Sequence, residues 1–277
     1  MKVIDTVAKM RKARRLVSDP VGLVPTMGYL HEGHLSLVRL ARKENSLVVV
    51  SIFVNPTQFG PSEDLSSYPR DMARDLRLLE QEGTDLVFAP SAEEVYTKGF
   101  NTWVDVEQVT NRLEGASRPG HFRGVATVVA KLFNIVQPDR AYFGQKDAQQ
   151  AVVIKKMVTE LNMDIDIVLG TTIREKDGLA LSSRNSYLNP EERQAATVLY
   201  KALTQAKKLW QQGETNADTI RREMRLLIQQ EPLAQQDYVS IADASTLEEL
   251  SVIDHPTLAL LAVRIGKTRL IDNMPLG

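Results

Sequence analysis

Short, unbroken apolar segments alternate with amphipathic segments through the first two thirds of the chain. The apolar segments are rich in Val, Ile and Leu, which is typical of parallel strands buried on both faces, and the segments between them have helical periodicity. The alternation predicts an α/β fold with a doubly wound parallel sheet. The predicted strands are Gly22–Pro25, Leu47–Val54, Asp85–Ala89, Thr102–Val106, Arg140–Phe143 and Asp164–Leu169, and the predicted helices are Gly33–Lys43, Asp71–Gln81, Gly124–Val136 and Asp147–Leu161.

The pattern changes after about residue 185, where a smaller α+β domain is expected. Asn189-Pro190 begins a helix that should end at Gly213, because Pro favours the first helical position and Gly favours the end. The elements predicted after it are a helix at Ala217–Gln230, a helical turn at Leu247–Leu250, and strands at Asp237–Ile241, Leu258–Ile265 and Arg269–Ile271. A length of 277 residues fits two domains, expected at 1–172 and 173–277 and joined by the polar segment 174–185.

Composition excludes several classes of protein. A net charge of −1 argues against a general nucleic-acid or anionic-membrane surface, and the basic segment Lys9–Arg15 is predicted to be a solvated helix face. The longest apolar run, Leu47–Val54, is too short to span a membrane. The chain has no cysteine, which excludes disulfides and thiolate metal sites and fits a cytoplasmic protein.

The segment Val24–His34 carries two imidazoles and two glycines where a predicted strand turns into a helix. Such a turn brings backbone N–H groups and a helix N-terminus close to an anion, and His31 and His34, three residues apart, share one face of the first turn. We therefore predict that they bind phosphate groups. A metalloprotease zinc helix would need the second His four residues after the first, so zinc is not favoured; two partly exposed histidines on an ordinary helix are the other interpretation.

Two more polar segments follow predicted strands. Asn55 and Gln58 lie in the long segment 55–70 and can bind the hydroxyl and carboxylate of a hydroxy acid, although a plain surface loop explains them equally well. Gly144–Gln150 repeats the strand–glycine–helix arrangement, with Lys146 suited to a phosphate and Asp147 suited to capping. The ordinary interpretation of that segment is a capped helix with an exposed lysine.

Three further features are weaker signals. Ser182, Ser183 and Arg184 suit a mobile phosphate clamp, but a serine-rich linker has the same composition. The loop Arg118–Arg123 can bind a carboxylate or simply pack. Asp75 can support a Mg²⁺ ion held mainly by ATP phosphates, or lie on a solvated helix face.

Four strings together resemble the pantothenate synthetase family, the AMP-forming ligases of pantoate and β-alanine. They are Pro-Thr-Met-Gly-x-Leu-His-Glu-Gly-His at 25–34, Val-Asn-Pro-x-Gln-Phe-Gly at 54–60, Gly-x-Lys-Asp-x-Gln-Gln at 144–150 and Gly-Leu-Ala-Leu-Ser-Ser-Arg-Asn at 178–185. A weaker match follows at 268–273. The family belongs to the HIGH-motif nucleotidyltransferases, which implies a Rossmann-like domain, with His31-Glu-Gly-His34 as the HIGH-like element. Leu181–Arg184 stands where class I aminoacyl-tRNA synthetases carry a second, mobile phosphate-binding signature.

The resemblance implies a role for individual residues. His34 is implied as proton donor, with His31 and Lys146 stabilising phosphate charge, and Gln58 and Gln150 are implied to bind pantoate, with Asn55 beside them. The residues implied to bind ATP are Met27, Gly28, Tyr29, Leu30, His31, Glu32, Gly33, His34, Gly144, Gln145, Lys146, Asp147, Ile173, Leu181, Ser182, Ser183 and Arg184. Gln145 departs from the family's usual Glu, which puts a specific role for that position in doubt.

The implied reaction has two steps. Pantoate attacks the α-phosphate of ATP to give pantoyl adenylate and pyrophosphate, and β-alanine then displaces AMP. The resemblance also implies Mg²⁺, a homodimer, and a C-terminal domain that acts as a lid against water. The alternatives are a nucleotidyltransferase that adenylates a phosphate, a non-enzymatic nucleotide-binding module, and a tRNA synthetase remnant, which the absence of a basic anticodon-binding region disfavours.

Overall fold

The computed structural model describes residues 1–18, 20–61 and 63–277, which divide into two units. The first unit comprises Met1–Gly144 and Gln149–Thr171, and the second comprises Gln145–Ala148 and Thr172–Gly277. The inclusion of Gln145–Ala148 in the second unit has no signal in the sequence.

The first unit is built on a parallel sheet. Its strands within the described residues are β1 (Lys2–Ile4), β2 (Val21–Thr26), β3 (Leu47–Ile52), β4 (Leu86–Phe88), β5 (Arg140–Gly144) and β6 (Asp166–Gly170). They lie in the order β1-β4-β3-β2-β5-β6, and every pairing is parallel. The predicted α/β class and parallel sheet are confirmed.

Helices cover both faces of this sheet. They are α1 (Val7–Arg14), α2 (Glu32–Glu44), α3 (Met72–Gln81), α4 (Ala92–Val95), α5 (Leu113–Ser117), α6 (His121–Val136) and α7 (Ala148–Glu160). One core packs α2 and α3 against one face of the sheet, and the other core packs α6 and α7 against the opposite face. The strands are unbroken apolar runs because each side of the pleat is buried. The basic helix α1 exposes Lys9, Arg11 and Lys12, as predicted.

The second unit is a small α+β structure, also as predicted. Its further elements are α8 (Pro190–Ala195), α9 (Val198–Gln211), α10 (Ala217–Gln229), β7 (Ala234–Asp243), β8 (Thr257–Ile265) and β9 (Thr268–Leu276). The three strands pair antiparallel in chain order, and their apolar face packs on α9 and α10. Asn189 caps α8 through a capping box with Glu192, but the helix expected to run to Gly213 is interrupted between α8 and α9.

Two predicted elements are wrong. Thr102–Val106 is not a strand, because the hydroxyl of Thr127 on α6 accepts the N–H of Val104 at 3.0 Å and so replaces a neighbouring strand. Leu247–Leu250 is not a helical turn: Leu247 has a φ of 58°, and Glu249 forms a bridge with Ala242. The edge strand β1 was not predicted, since only one of its three residues is buried.

Among the described residues, no helix is both long enough and apolar enough to cross a membrane.

Candidate active site

The carboxyl ends of β2, β3 and β5 position the candidate site. β2 pairs with β3 on one side and with β5 on the other, so the strand order reverses between β2 and β5. Ligands of open parallel sheets bind outside the carboxyl ends of the strands at such a reversal. In the first unit, Met27–His34 follows β2 and Asn55–Gln58 follows β3, so these two predicted segments leave from neighbouring strands.

The loop after β2 makes an unusual turn at Gly28 and Tyr29. Both have positive φ, at 82° and 51°, and a non-glycine residue in that region carries a conformational cost. The carboxylate of Asp75 on α3 holds the turn, since its two oxygens accept the N–H groups of Tyr29 at 2.7 Å and Leu30 at 2.8 Å. Arg74 adds a hydrogen bond to the carbonyl of Leu30 at 2.8 Å.

This contact corrects the expectations for Asp75. The residue is 1% exposed, so it does not lie on a solvated helix face. Both oxygens already accept backbone N–H groups, and among the described residues no group of three or more His, Asp or Glu side chains is placed to hold a metal ion. Asp75 does not fit a magnesium ligand, and we assign its carboxylate to the loop.

His31 and His34 lie at the N-terminus of α2. Nδ1 of His31 accepts the N–H of Gly33 at 3.2 Å, and Nδ1 of His34 accepts the N–H of His31 at 3.3 Å, which together form a capping box. The two ring centroids are 4.0 Å apart. Because each Nδ1 is an acceptor, the proton of each neutral ring is on Nε2. The rings therefore adjoin the positive end of the helix, as an anion site requires.

Asn55 and Gln58 form the turn after β3. Asn55 is 1% exposed, and its Nδ2 donates to Oε1 of Gln58 and to the carbonyl of Gly124, at 3.1 Å each. Gln58 Nε2 lies 3.0 Å from Sδ of Met27 and so brings this turn against the loop after β2. A Cβ at Gly124 would lie 2.3 Å from the carbonyl oxygen of Thr57, so only glycine lets α6 approach the turn this closely.

The loop Arg118–Arg123 supports the same turn from behind. Nδ1 of His121 lies 2.8 Å from the carbonyl oxygen of Gln58. On the other side of the imidazole ring, Nη1 of Arg118 lies 3.0 Å from Nε2 of His121. Burial, together with the neighbouring guanidinium, lowers the pKa of His121 to about 4, so the ring is neutral near pH 7. Arg118 also donates two hydrogen bonds to Glu63, at 2.6 and 2.8 Å. These contacts favour packing over carboxylate binding for this loop.

The adjacent glutamines 149 and 150 on α7 differ in their environment. Gln149 is buried and bonds the N–H of Glu114 and the carbonyls of Val109 and Arg112. Gln150, the predicted acid-binding residue, is half-buried. Gln149 is thereby assigned to packing.

In the second unit, Asn273 on β9 holds the turn Gln145–Asp147. Its Nδ2 donates to the carbonyls of Gln145 at 2.9 Å and Lys146 at 2.8 Å, and its Oδ1 accepts from Nε2 of Gln145 at 3.1 Å. The side chain of Gln145 therefore takes part in holding this turn. Nζ of Lys146 lies 3.6 Å from the carboxylate of Asp147.

The segment Ile173–Leu181 of the same unit is a narrow hairpin. The N–H of Leu181 donates to the carbonyl of Ile173 at 3.0 Å, which places these two predicted residues side by side. Arg174 joins the hairpin to β9 through two hydrogen bonds to Asp272, at 2.6 and 3.0 Å. Beyond the hairpin, Ser182 accepts the N–H of Arg184 at 3.3 Å and begins a short 3₁₀ turn.

Comparison with known proteins identifies the family. The model of the pantoate–β-alanine ligase family matches residues 2–275. The chain belongs to this family. A pantothenate synthetase from Roseiflexus sp. (strain RS-1) is 61% identical over 273 residues, which cover 99% of this chain and 98% of that protein.

Solved structures of the family have the same fold. The pantothenate synthetase of Thermus thermophilus superposes with a TM-score of 0.96 at 50% identity, covering 99% of each chain. A pantoate–β-alanine ligase from Francisella tularensis, described as complexed with β,γ ATP and β-alanine, has a TM-score of 0.83 at 35% identity, covering 99% of this chain and 97% of that one.

Sequence reasoning missed the supporting role of three residues, two in the first unit and one in the second. They are Asp75, which holds the turn at Tyr29, Asn273, which holds the turn at Lys146, and Tyr96, whose hydroxyl donates to Oδ1 of Asn55 at 2.8 Å. The final string at 268–273 was a partial signal for Asn273, and nothing in the sequence marks Tyr96.

Proposed function

We propose that this chain is an ATP-dependent ligase that condenses (R)-pantoate with β-alanine to give pantothenate, through pantoyl adenylate, with release of pyrophosphate and AMP. The family match over residues 2–275 carries the proposal. The paired histidines at the N-terminus of α2 support it, since a helix N-terminus with imidazole donors beside it suits a phosphate group.

In the first step, a carboxylate oxygen of pantoate attacks the α-phosphorus of ATP and the bond to the β-phosphate oxygen breaks. His31 and His34 carry their protons on Nε2, and these protons are donated in hydrogen bonds to phosphate oxygens as negative charge builds up there. His34 is the residue proposed to donate towards the departing pyrophosphate.

In the second unit, Lys146 and Arg184 supply positive charge to the phosphates, and Ser182 and Ser183 supply hydroxyl donors. The remaining proposed ATP contacts come from Met27–Gly33 in the first unit and from Gly144, Gln145, Asp147, Ile173 and Leu181. Gln145, Ile173 and Leu181 are proposed to contact ATP through backbone groups. Asn273 holds the backbone at Gln145, and the hairpin hydrogen bond holds the backbone at Ile173 and Leu181.

Pantoate is proposed to lie against Gln58 and Gln150, with Asn55 orienting the first of these. Fixing the acid in line with the α-phosphate lowers the barrier by removing the cost of bringing the reactants together. In the second step, the uncharged amine of β-alanine attacks the acyl carbon of the adenylate, the carbon–oxygen bond breaks, AMP leaves, and the amide nitrogen loses one of its two protons.

Three properties belong to the proposal without a step of their own. Mg²⁺ enters as the counter-ion of the ATP phosphates, which is its usual form in such enzymes. A homodimer is expected from the family resemblance. A cytoplasmic location is proposed because ATP, the co-substrate, is available there.

The test separates the two steps by their products. With ATP and pantoate alone, one equivalent of pyrophosphate per site should be released, and AMP should follow only when β-alanine is added. His34→Ala should slow the pyrophosphate step while the protein remains folded by circular dichroism. Pyrophosphate release that needs a phosphate-bearing acceptor would favour a nucleotidyltransferase, and unchanged ATP turnover in the folded His34→Ala protein would contradict the assigned role.

A further inference from the structure

The turn that carries Gln58 contains a chain of hydrogen bonds with a defined direction. Oδ1 of Asn55 accepts from the N–H of Thr57 at 3.3 Å, from Oγ1 of Thr57 at 2.9 Å and from the hydroxyl of Tyr96 at 2.8 Å. On the other side of the same amide, Nδ2 donates to the carbonyl of Gly124 and to Oε1 of Gln58. Asn55 is 1% exposed, so protein groups rather than solvent satisfy this amide.

Two backbone groups show which end of the Asn55 amide is the oxygen. The N–H of Thr57 can only donate and the carbonyl of Gly124 can only accept, so the oxygen of Asn55 faces the former and its nitrogen faces the latter. Oε1 of Gln58 must then accept from Asn55, which leaves Nε2 as the end of the Gln58 side chain that points away from the turn.

The sulfur atom that faces Nε2 of Gln58 can be replaced by a better hydrogen-bond acceptor. Nε2 of Gln58 lies 3.0 Å from Sδ of Met27, and a thioether sulfur is a weak acceptor. A carboxylate or hydroxyl oxygen of a bound acid is a far better acceptor and would displace the sulfur. The turn therefore presents a hydrogen-bond donor, held in place, to a ligand that supplies an oxygen acceptor.

Tyr96 lies at the end of this series of hydrogen bonds that is farthest from Met27, and it reaches Gln58 through Asn55. It follows α4, and its ring packs on Phe53 and Phe100 with centroids 6.3 and 5.0 Å apart, which orients the hydroxyl towards Asn55. Burial raises the pKa of this phenol, so it remains a donor across the neutral pH range.

We propose that Tyr96 is a positioning residue whose hydroxyl, acting through Asn55, fixes the side-chain amide of Gln58 with its Nε2 donor facing the acid substrate. This inference rests on the proposed function, because it takes the acid to be pantoate bound at Gln58. Tyr96 should therefore affect the binding of pantoate and leave the binding of ATP unchanged.

Tyr96→Phe removes the hydroxyl and keeps the ring. In steady-state assays of pyrophosphate release with saturating β-alanine, we expect the KM for pantoate to rise about three- to tenfold, the usual effect of one hydrogen bond, while the KM for ATP is unchanged. Thr57→Val removes the other hydroxyl donor to Oδ1 of Asn55 and should change the two KM values in the same way. This second variant decides the question should Tyr96→Phe fail to fold.

Tyr142→Phe is the matched control. The hydroxyl of Tyr142 accepts from Nδ2 of Asn45 at 2.6 Å and donates to Glu44 at 2.7 Å, at the C-terminus of α2. The substitution therefore removes an equally well bonded hydroxyl at the other end of the parallel sheet. We expect it to lower the melting temperature without changing the KM for pantoate.

The outcomes separate the two claims. An unchanged KM for pantoate in folded Tyr96→Phe, or equal increases in the KM values for pantoate and ATP, overturns the role of Tyr96 while the proposed function stands. A wild-type protein that releases no pyrophosphate with pantoate overturns the proposed function, and the inference with it.

Discussion

Replacing Asp75 by Asn tests how strongly a buried carboxylate stabilises the loop after β2, in which Tyr29 has a positive φ. Asp75 is 1% exposed, and its oxygens accept the N–H groups of Tyr29 at 2.7 Å and Leu30 at 2.8 Å. An amide keeps one acceptor and turns an NH₂ group towards the other N–H. One of the two N–H groups then loses its acceptor, and no rotation of the amide satisfies both.

The magnitude follows from these contacts. A hydrogen bond to a charged group contributes roughly 1.5–3 kcal/mol, and leaving a buried N–H unsatisfied costs roughly 1–3 kcal/mol. The left-handed conformation of Tyr29, at a φ of 51°, carries a further cost that the carboxylate now offsets. We expect Asp75→Asn to lower the free energy of unfolding by about 3 kcal/mol. Because the loop leads into the paired histidines, the KM for ATP should rise as well.

Two measurements check this, chemical denaturation for stability and pyrophosphate release for the KM of ATP. Asp71→Asn is the matched control, because Asp71 is the exposed N-cap of the same helix, and Asn caps as well as Asp does. An Asp75→Asn protein whose free energy of unfolding is within about 0.5 kcal/mol of wild type, as for an ordinary surface change, would contradict this role of Asp75.

Three other predictions concern the turns and their supports. Asn273→Asp removes both donors to the carbonyls of the Gln145–Lys146 turn, so the KM for ATP should rise in the pyrophosphate-release assay while the KM for pantoate does not. Gly124→Ala places a Cβ 2.3 Å from the carbonyl oxygen of Thr57, so denaturation should show a loss of about 1–3 kcal/mol despite a better helix former. His121 has a pKa lowered from 6.5 to about 4, so the free energy of unfolding should fall by about 3 kcal/mol as the pH falls through that range.

The sign of the last prediction follows from proton binding. Between pH 6.5 and about 4 the unfolded chain protonates this imidazole and the native state does not, so acid favours unfolding. His121→Gln should flatten the slope. His255 has a raised pKa, so its contribution is lost only as the pH rises above 6.5 and lies outside this window. The charged groups around His121 are Arg118, Glu63 and Glu114. A slope between pH 6.5 and about 5 that persists in His121→Gln would contradict the assignment, because carboxyl groups with a lowered pKa, such as that of Glu63, contribute only at lower pH. A stability gain in Gly124→Ala or equal KM changes in Asn273→Asp would contradict the other two predictions.

Much of the fold could be predicted because the sheet is buried on both faces, which makes each central strand an unbroken apolar run. The same reasoning fails where a side chain replaces a strand as hydrogen-bond partner. Thr102–Val106 has the composition of a strand, but Thr127 on α6 takes its backbone groups. The pattern of apolar residues predicts which side chains are buried, but it does not predict which groups form hydrogen bonds with the backbone N–H and C=O groups.

The candidate site divides in the same way. The strand-to-helix turn with Gly28 and the pairing of His31 with His34 are local, so residue types and their spacing predicted them, although the helix was expected to begin at Gly33 and His31 was not predicted to be its cap. The contacts that hold these turns are distant in sequence: Asp75 is 46 residues from Tyr29, and Asn273 is 127 residues from Lys146. No spacing rule connects such pairs, and the resemblance to a family names ligand-binding residues rather than the groups behind them.

Formation of pantoyl adenylate can be measured by isotope exchange between pyrophosphate and ATP, with a panel of hydroxy acids and without β-alanine. We predict exchange that depends on pantoate, is weak with acids lacking its hydroxyl groups, and is slowed in His34→Ala. Exchange that proceeds equally with every acid, or that never appears with pantoate, would contradict this prediction.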